Sequence, residues 1–299
     1  MLELIERAPR RNLLQSNGEQ IEFVVMDGGR PVARAVSGLD RRANRLLGRQ
    51  EGYFGGLSLT DDLRVAQMLI DAIAGHQRAQ GMQRMVGPID LDGGGLMIGV
   101  KLDGFDVHEP HTPENEPFYD GLLRGCGMDV LREYAGFSLS IEGLRYDETL
   151  DRLQKRRGIT VEPCDLRRGK PIYEALYLAS GLDRRMALGA FAQQLDAVRR
   201  DITKGDLLLA RVSGEPAGFL LSFTKGKYIR IASVHVREAF RRSGAALMLY
   251  GAAQRRAKQL HVQRVTASMI ELNNRASIAC AEAAGGTVCT RWREYTLRL

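Results

Sequence analysis

The clearest hydrophobic patterning lies in the second half of the chain. Apolar and polar side chains alternate over residues 229–236, which predicts a half-buried strand. A short turn follows, and apolar positions then recur at helical spacing over residues 245–260. Similar patterns predict further strands at 206–212, 216–224, 262–269 and 292–297 and a further helix at 275–284.

The turn between the strand at 229–236 and the helix at 245–260 is built from small and basic residues. A helix that begins there leaves backbone N–H groups unpaired in its first turn, backed by the positive end of the helix dipole. Such a site suits a phosphate. Small residues let the main chain approach an anion, and arginine adds guanidinium donors. The residues concerned are Arg241, Arg242, Ser243, Gly244, Ala245 and Ala246.

The spacing Arg-x-x-Gly-x-Ala over 241–246, with Phe240 directly before it, resembles the coenzyme A pyrophosphate loop of the GNAT acyltransferase superfamily. The resemblance implies that these six residues, with Val234 and Val236 of the preceding strand, bind acetyl-CoA or another acyl-CoA. The alternative is an ordinary basic connection between a strand and a helix.

A second part of the same resemblance is Asn274, which follows the strand at 262–269 and precedes Gly285 by eleven residues. In the superfamily such an asparagine opens a helix where two strands splay apart to admit the pantetheine arm. A short polar side chain there can hold loose backbone to the ligand. The simpler role of Asn274 is that of a helix N-cap, and the two roles are compatible.

The order of elements in both halves resembles the same superfamily. The first half shows a hairpin over 22–36, a strand at 52–59 and helices at 63–80 and 118–124, and its Arg132-Glu133-Tyr134 is repeated as Arg293-Glu294-Tyr295. The resemblance implies an α/β (α+β) protein with two GNAT-like domains, each a mixed, mostly antiparallel sheet flanked by helices. We predict a degenerate domain at 1–145 and a complete acyl-CoA-binding domain at 146–299.

The first half lacks the features needed to hold coenzyme A. At the position of the phosphate loop it has Thr60, Asp61 and Asp62. The carboxylates of the two aspartates repel an anion, and Thr60 or Asp61 is predicted to cap the helix that follows. About twenty residues precede its hairpin, so we expect the opening strand and helices to be cut short. The triple glycine at 93–95 is interpreted as a flexible loop. His108 and His111 are too weak a pattern for a metal site, and we predict none.

Composition fits two modest domains, with 299 residues of which 44% are hydrophobic and 26% charged. No run of eighteen apolar residues, secretory leader or paired Cys spacing is present, so we expect a cytoplasmic protein with no membrane partner. Residues 1–145 carry 16 Lys+Arg and 21 Asp+Glu, whereas 146–299 carry 27 and 15. The basic half suits a ligand with several phosphates, and it also suits RNA. Basic clusters of this kind are more often solvated helix faces than binding patches, so nucleic acid is kept only as an alternative partner.

Acyl transfer requires a deprotonated amine, a polarised thioester carbonyl and a protonated leaving thiolate. The resemblance implies that the backbone from Ser233 to Val236 supplies the polarisation. Glu271 is the candidate base, with an exposed strand-end carboxylate as its alternative. His235 is either a proton carrier or a packed histidine, and packing is favoured. The superfamily often has a tyrosine acid at the position of Ala281, so the acid is unassigned unless Tyr250 or Tyr295 lies close.

The first hypothesis is an acyl-CoA-dependent N-acyltransferase, most simply an acetyltransferase, that acts on a small-molecule or peptide amine. One alternative is an aminoacyl-tRNA-dependent transferase of the tandem-GNAT type. Another is a non-catalytic acyl-CoA-binding protein, which the absent tyrosine at 281 favours. The sequence does not determine the acceptor, the acyl length or the oligomeric state.

Overall fold

The computed structural model describes residues 1–9, 19–90, 97–139, 141, 152, 158–180, 188–283 and 285–299. Its contacts divide the chain into two compact units, one of Met1–Ala135 with Thr290–Leu299 and one of Gly136–Cys289. The predicted boundary between 145 and 146 and the glycine loop at 93–95 lie outside the described residues. Residues 290–299, which belong to the predicted second domain, are grouped by their contacts with the first unit.

The first unit carries a mixed sheet in the strand order β1-β2-β3-β4-β5-β15. Its β1 to β4 neighbours pair antiparallel, β4 pairs with β5 in parallel, and β5 pairs with β15 antiparallel. The elements that begin here are β1 Leu2–Arg7, β2 Glu19–Asp27, β3 Arg30–Leu39, α1 Arg41–Leu47, β4 Glu51–Leu59, α2 Leu63–Ala79, β5 Arg84–Gly87, β6 Ile89–Asp90, β7 Met97–Ile98, β8 Val100–Asp103, α3 Tyr119–Gly125 and β9 Asp129–Leu139.

The second unit repeats that order of strand directions. Strands β10 to β13 pair antiparallel in sequence, and β13 pairs with β14 in parallel. Its elements are β10 Ile159–Pro163, α4 Lys170–Ser180, α5 Leu188–Val198, β11 Leu207–Val212, β12 Glu215–Lys225, β13 Tyr228–Val236, α6 Ala245–Gln259, β14 Arg264–Glu271, α7 Arg275–Ala283 and β15 Thr287–Arg298, whose last residues belong to the first unit. The predicted mixed, mostly antiparallel sheets with flanking helices are confirmed.

The first half was expected to have its opening strand and helices cut short, and the structure shows that an opening strand is present, while residues 10–18 lie outside the described part of the chain. Residues 2–7 form β1, which pairs along its whole length with β2, from Leu2 opposite Asp27 to Arg7 opposite Glu22. Its burial pattern alternates only weakly, because Leu4 is 37% exposed. A strand with so little buried side chain has no strong hydrophobic period in the sequence.

The repeated Arg-Glu-Tyr triplets lie on β9 and β15 within the first unit and exchange ion pairs. Arg132 Nη1 lies 2.9 Å from Glu294 Oε2, and Arg293 Nη2 lies 2.6 Å from Glu133 Oε1. The Tyr134 hydroxyl also donates to Glu294, which is buried. Each triplet therefore supplies ionic partners for the other within one unit, and the repetition does not mark one copy in each half of the chain.

Candidate functional site

The predicted phosphate loop lies at the surface of the second unit, between β13 and α6. After β13, one turn of 3-10 helix at Glu238–Phe240 leads to Arg242, whose φ is 65°, and to Gly244, whose φ is 103°. Both angles lie in the left-handed region, which Gly244 adopts without the steric penalty of a side chain. Helix α6 begins at Ala245, as the sequence predicts.

The start of α6 presents unpaired amide groups. The Ala245 N–H donates to Ser243 Oγ at 3.1 Å, and the Met248 N–H makes the first helical bond, to Gly244 O. Within the part of the chain that the structure describes, the N–H groups of Gly244, Ala246 and Leu247 have no acceptor. The first turn of the helix contains no acidic residue. Three such donors at the positive end of a 15-residue helix have the chemistry that the predicted anion site requires.

Small side chains keep this anion site open. Ala245 is buried, while Ser243, Gly244 and Ala246 are half-buried. Arg241 and Arg242 are exposed beside them. Arg237, which the sequence analysis did not single out, lies 5.2 Å over the ring of Phe240 and donates to Pro216 O at 3.0 Å. An aromatic residue three positions after an arginine is the only sequence signal for that pair.

Next to the loop, the parallel strands β13 and β14 separate. Their pairing runs from Tyr228–Arg264 to Ile231–Ala267, and no later pair joins them although both strands are fully described. On its other edge β13 stays paired with β12 as far as Val236, with a register shift at Ala232. Met269 of β14 has a φ of 63°. The two strands therefore diverge over their last five residues or so, and the predicted splay is present.

Backbone donors of β13 face this gap. The Arg237 N–H donates to the carbonyl oxygen of Ala217, a residue of β12, at 2.9 Å. Because N–H direction alternates along a strand, the N–H groups of Val236 and Val234 point away from β12, toward the side on which β14 has left. These amides lie at the end of the strand that leads to the phosphate loop.

Asn274 caps helix α7. Its Oδ1 accepts from the Ser277 N–H at 3.2 Å, and its own N–H donates to Glu271 O at 2.9 Å. Its Nδ2 donor has no partner among the described residues. The N-cap role is therefore present, and a donor is left over for the second role that the resemblance implies.

The candidate catalytic residues occupy two strands that border the gap. Ser233 and His235 lie on β13, opposite Leu221 and Phe219 of β12, and Glu271 is the half-buried last residue of β14. The His235 ring stacks on Phe219 with centroids 5.0 Å apart, and Phe219 in turn contacts Phe191 of α5 edge to face. Burial lowers the pKa of His235. This aromatic packing agrees with the structural interpretation of that histidine.

We expect His235→Phe to retain acyl-CoA binding and turnover, because the ring stack persists. The unfolded His235 binds a proton near pH 6.5 whereas the buried ring resists it, so wild-type stability falls as pH drops below that value. The variant should show less of this loss between neutral and mildly acidic pH in urea unfolding. Loss of thiol release with the fold intact would instead make His235 a proton carrier.

Two tyrosines were candidates to replace the missing acid at 281. Tyr295 is fully buried in the first unit, where its hydroxyl donates to Asp120, and burial raises its pKa. Tyr250 lies on α6 in the second unit, and its pKa is raised by burial and then by the charge of Cys280 on α7. Ala281 itself is fully buried. Tyr250 is therefore the one of these two tyrosines that shares a unit with the loop.

The corresponding gap in the first unit is filled by its own chain. Pairing of β4 with β5 ends at Tyr53–Val86, and a Cβ added at Gly55 would overlap the carbonyl oxygen of Ile89. At the start of α2 the N-cap is Asp62, not Thr60 or Asp61, and its carboxylate is also paired with Arg64. Both the cleft and the anion site are thus closed, as a degenerate copy requires.

The described residues were also searched for metal-binding clusters and membrane-spanning helices. Among the described residues, no group of three or more His, Cys, Asp or Glu side chains is placed to hold a metal ion. His108 Nδ1 lies 3.5 Å from Glu114 Oε2. In the same part of the chain, no helix is long and apolar enough to cross a bilayer.

The splayed strands, the open helix start and the repeated sheet order define a GNAT-type acyltransferase fold. Residues 174–285, which lie within the second unit, match the model of the acetyltransferase (GNAT) family.

A curated relative is the bacterial ceramide synthase of Caulobacter vibrioides, 30% identical over 114 residues, which are 38% of this chain and 29% of that protein. The chain thus matches about a third of the length of its curated relatives.

Two solved structures share the fold over almost the whole chain. One is a tandem GNAT protein from the clavulanic acid biosynthesis pathway, with a TM-score of 0.60, 16% identity and coverage of 94% of this chain and 83% of that one. The other is a GCN5-related N-acetyltransferase from Sphaerobacter thermophilus, with a TM-score of 0.57, 17% identity and coverage of 93% and 80%. Identities this low establish the fold alone, and the fold is tandem GNAT.

Proposed function

We propose that the protein is an acyl-CoA-dependent N-acyltransferase, most simply an acetyltransferase, that acts on a small-molecule or peptide amine. The observation that carries the proposal is the set of unpaired amides at Gly244, Ala246 and Leu247, beside the gap between β13 and β14. A diphosphate fits the first feature and an extended thioester arm fits the second. The family match at 174–285 supports the same class of reaction.

In the proposed reaction the amine nitrogen attacks the thioester carbonyl carbon, the carbon–sulfur bond breaks, and the thiolate takes up a proton. The α6 amides with Arg241 and Arg242 bind the diphosphate. The N–H groups of Val234 and Val236 donate to the pantetheine arm and to the carbonyl oxygen, where negative charge develops. Glu271 removes a proton from the amine, directly or through water.

Binding and turnover can be tested separately on the full chain. We expect acetyl-CoA and free coenzyme A to raise the melting temperature, and an amine panel to release thiol from the preferred thioester. The panel should include long-chain thioesters and lipid amines, because one relative is named for a ceramide, which is an N-acylated lipid amine. Stabilisation by none of the thioesters would contradict the proposal. Stabilisation without turnover across the panel would favour the non-catalytic alternative.

The Glu271→Gln variant separates the base from the binding site. We expect its thiol release to fall by about a hundredfold, which is the lower end of what a general base contributes, with thioester binding unchanged. Glu282→Gln, an exposed change on α7, is the matched control. Full turnover in Glu271→Gln would assign the base elsewhere.

RNA binding distinguishes the transferase that uses aminoacyl-tRNA. In the basic second half, Arg167 is paired with Asp165 and Arg199 with Asp196, which reduces the positive charge that these two arginines offer to RNA. Salt-sensitive binding of tRNA, together with no stabilisation by any thioester, would favour that alternative.

A further inference from the structure

Helix α1 of the first unit has its polar and apolar sides inverted. Its only buried residue is Asn44, whose Nδ2 donates to Glu51 O at 2.8 Å and whose Oδ1 accepts from the Glu51 N–H. By contrast, Leu46 is 60% exposed and Leu47 is 37% exposed. A helix that served only to cover a core would bury its leucines and expose its asparagine. The buried amide instead anchors α1 to Glu51, and both leucines are exposed.

Basic side chains surround these leucines. Arg42 and Arg45 are exposed and have no carboxylate partner among the described residues. Arg49 and Arg84 both pair with the buried carboxylate of Glu51. These three side chains together carry a net charge of one positive unit. Nearby acids are engaged, because Glu19 is held by Arg41 and Asp40 caps α1 through the Ala43 N–H.

An open depression of about 520 Å³ adjoins the helix. Its walls include Arg41, Arg45 and Arg49 together with Gln50 and Gln83, whereas Leu46 and Leu47 are not among its lining residues. The apolar side chains therefore project beside a basic hollow. A helix-binding groove has the reverse arrangement, with apolar walls and a polar rim.

We propose that this surface, formed by α1 and the adjoining depression, binds the face of a bilayer that contains anionic phospholipid. The leucines enter the boundary between headgroups and acyl chains, and the arginines bind headgroup phosphates. A nucleic acid would leave the two leucines without an apolar partner, and an acidic peptide would find no apolar groove. The contact is peripheral, and it goes beyond the acyl transfer proposed above because none of its residues belongs to that site.

Vesicle flotation of the full chain tests the proposal. We expect binding to vesicles of equal parts phosphatidylcholine and phosphatidylglycerol, weakened by salt, and little binding to phosphatidylcholine alone. Leu46→Ser with Leu47→Ser, and Arg42→Gln with Arg45→Gln, should each weaken binding roughly tenfold or more. Leu260→Ser, which changes a leucine 47% exposed at the end of α6, is the matched control.

A gain of signal makes the test independent of folding defects. The chain contains one tryptophan, Trp292, which is fully buried, so Leu46→Trp adds a reporter at the proposed contact. Its fluorescence should shift to the blue with anionic vesicles and stay unchanged with inorganic phosphate. The proposal is overturned if wild type does not bind the anionic vesicles, if the leucine pair leaves binding intact, or if inorganic phosphate alone reproduces the fluorescence change.

Discussion

Replacing Ala246 by aspartate is expected to abolish acyl-CoA binding. Ala246 lies in the first turn of α6, between the unpaired N–H groups of Gly244 and Leu247, so a carboxylate there occupies the anion site. Two like charges about 4 Å apart repel by about 4 kcal/mol in a partly solvated site, which is roughly a thousandfold in affinity. The effect should appear for acetyl-CoA, longer thioesters and free coenzyme A alike, because they share the diphosphate.

Ala246→Asn is the matched control, with nearly the same side-chain volume and no charge. Acidic residues in the first turn of a helix interact favourably with its dipole, so the aspartate should not lower the melting temperature of the unliganded protein. Position 244 is a poorer choice, because its φ of 103° strains any side chain. Calorimetric titration of the Ala246→Asp and Ala246→Asn variants with acetyl-CoA measures the difference in affinity. Equal affinity in the Asp and Asn variants would place the diphosphate away from α6.

The elements around the loop are predictable from the sequence because local signals agree there. Alternation of apolar and polar residues predicts β13, and apolar residues at helical spacing predict α6. The small residues at 244–246 indicate where the helix begins. Asn274 follows the same logic, since an N-cap is a local interaction. These residues gave the fold class and the position of the anion site, while their roles with a ligand stay predictions.

Other features depend on contacts between distant segments. Nothing near Gly55 indicates that Ile89 fills the gap beside it, and nothing near Tyr295 indicates that its hydroxyl binds Asp120 in the first unit. Likewise nothing in the local sequence indicates that α1 buries Asn44 and exposes its two leucines, because periodicity does not tell which face a short helix turns inward. Such outcomes are set by tertiary packing, which composition and spacing do not encode directly.

Replacing Asp206 by alanine is expected to remove about 3–5 kcal/mol from the free energy of unfolding of the second unit, which is the usual cost of breaking a buried ion pair. Asp206 is fully buried, and its carboxylate lies 2.5 Å from Arg256 Nη1. It also accepts from the Thr203 N–H at 2.8 Å and from the hydroxyl of Thr224 at 2.6 Å. Alanine leaves these donors and a largely buried guanidinium without their acceptor.

The network ties the body of α6 to β11 and β12, since Arg256 lies on α6 and Thr224 on β12. Loss of this network should therefore also weaken thioester binding, because Arg256 positions the same helix whose first turn binds the diphosphate in the proposed function. Glu174→Ala, which breaks an exposed pair with Lys170, is the control and should change stability little. Urea unfolding with a probe in each unit separates the two transitions, as two-domain proteins require. If Asp206→Ala matched the control, the carboxylate would not be what anchors α6.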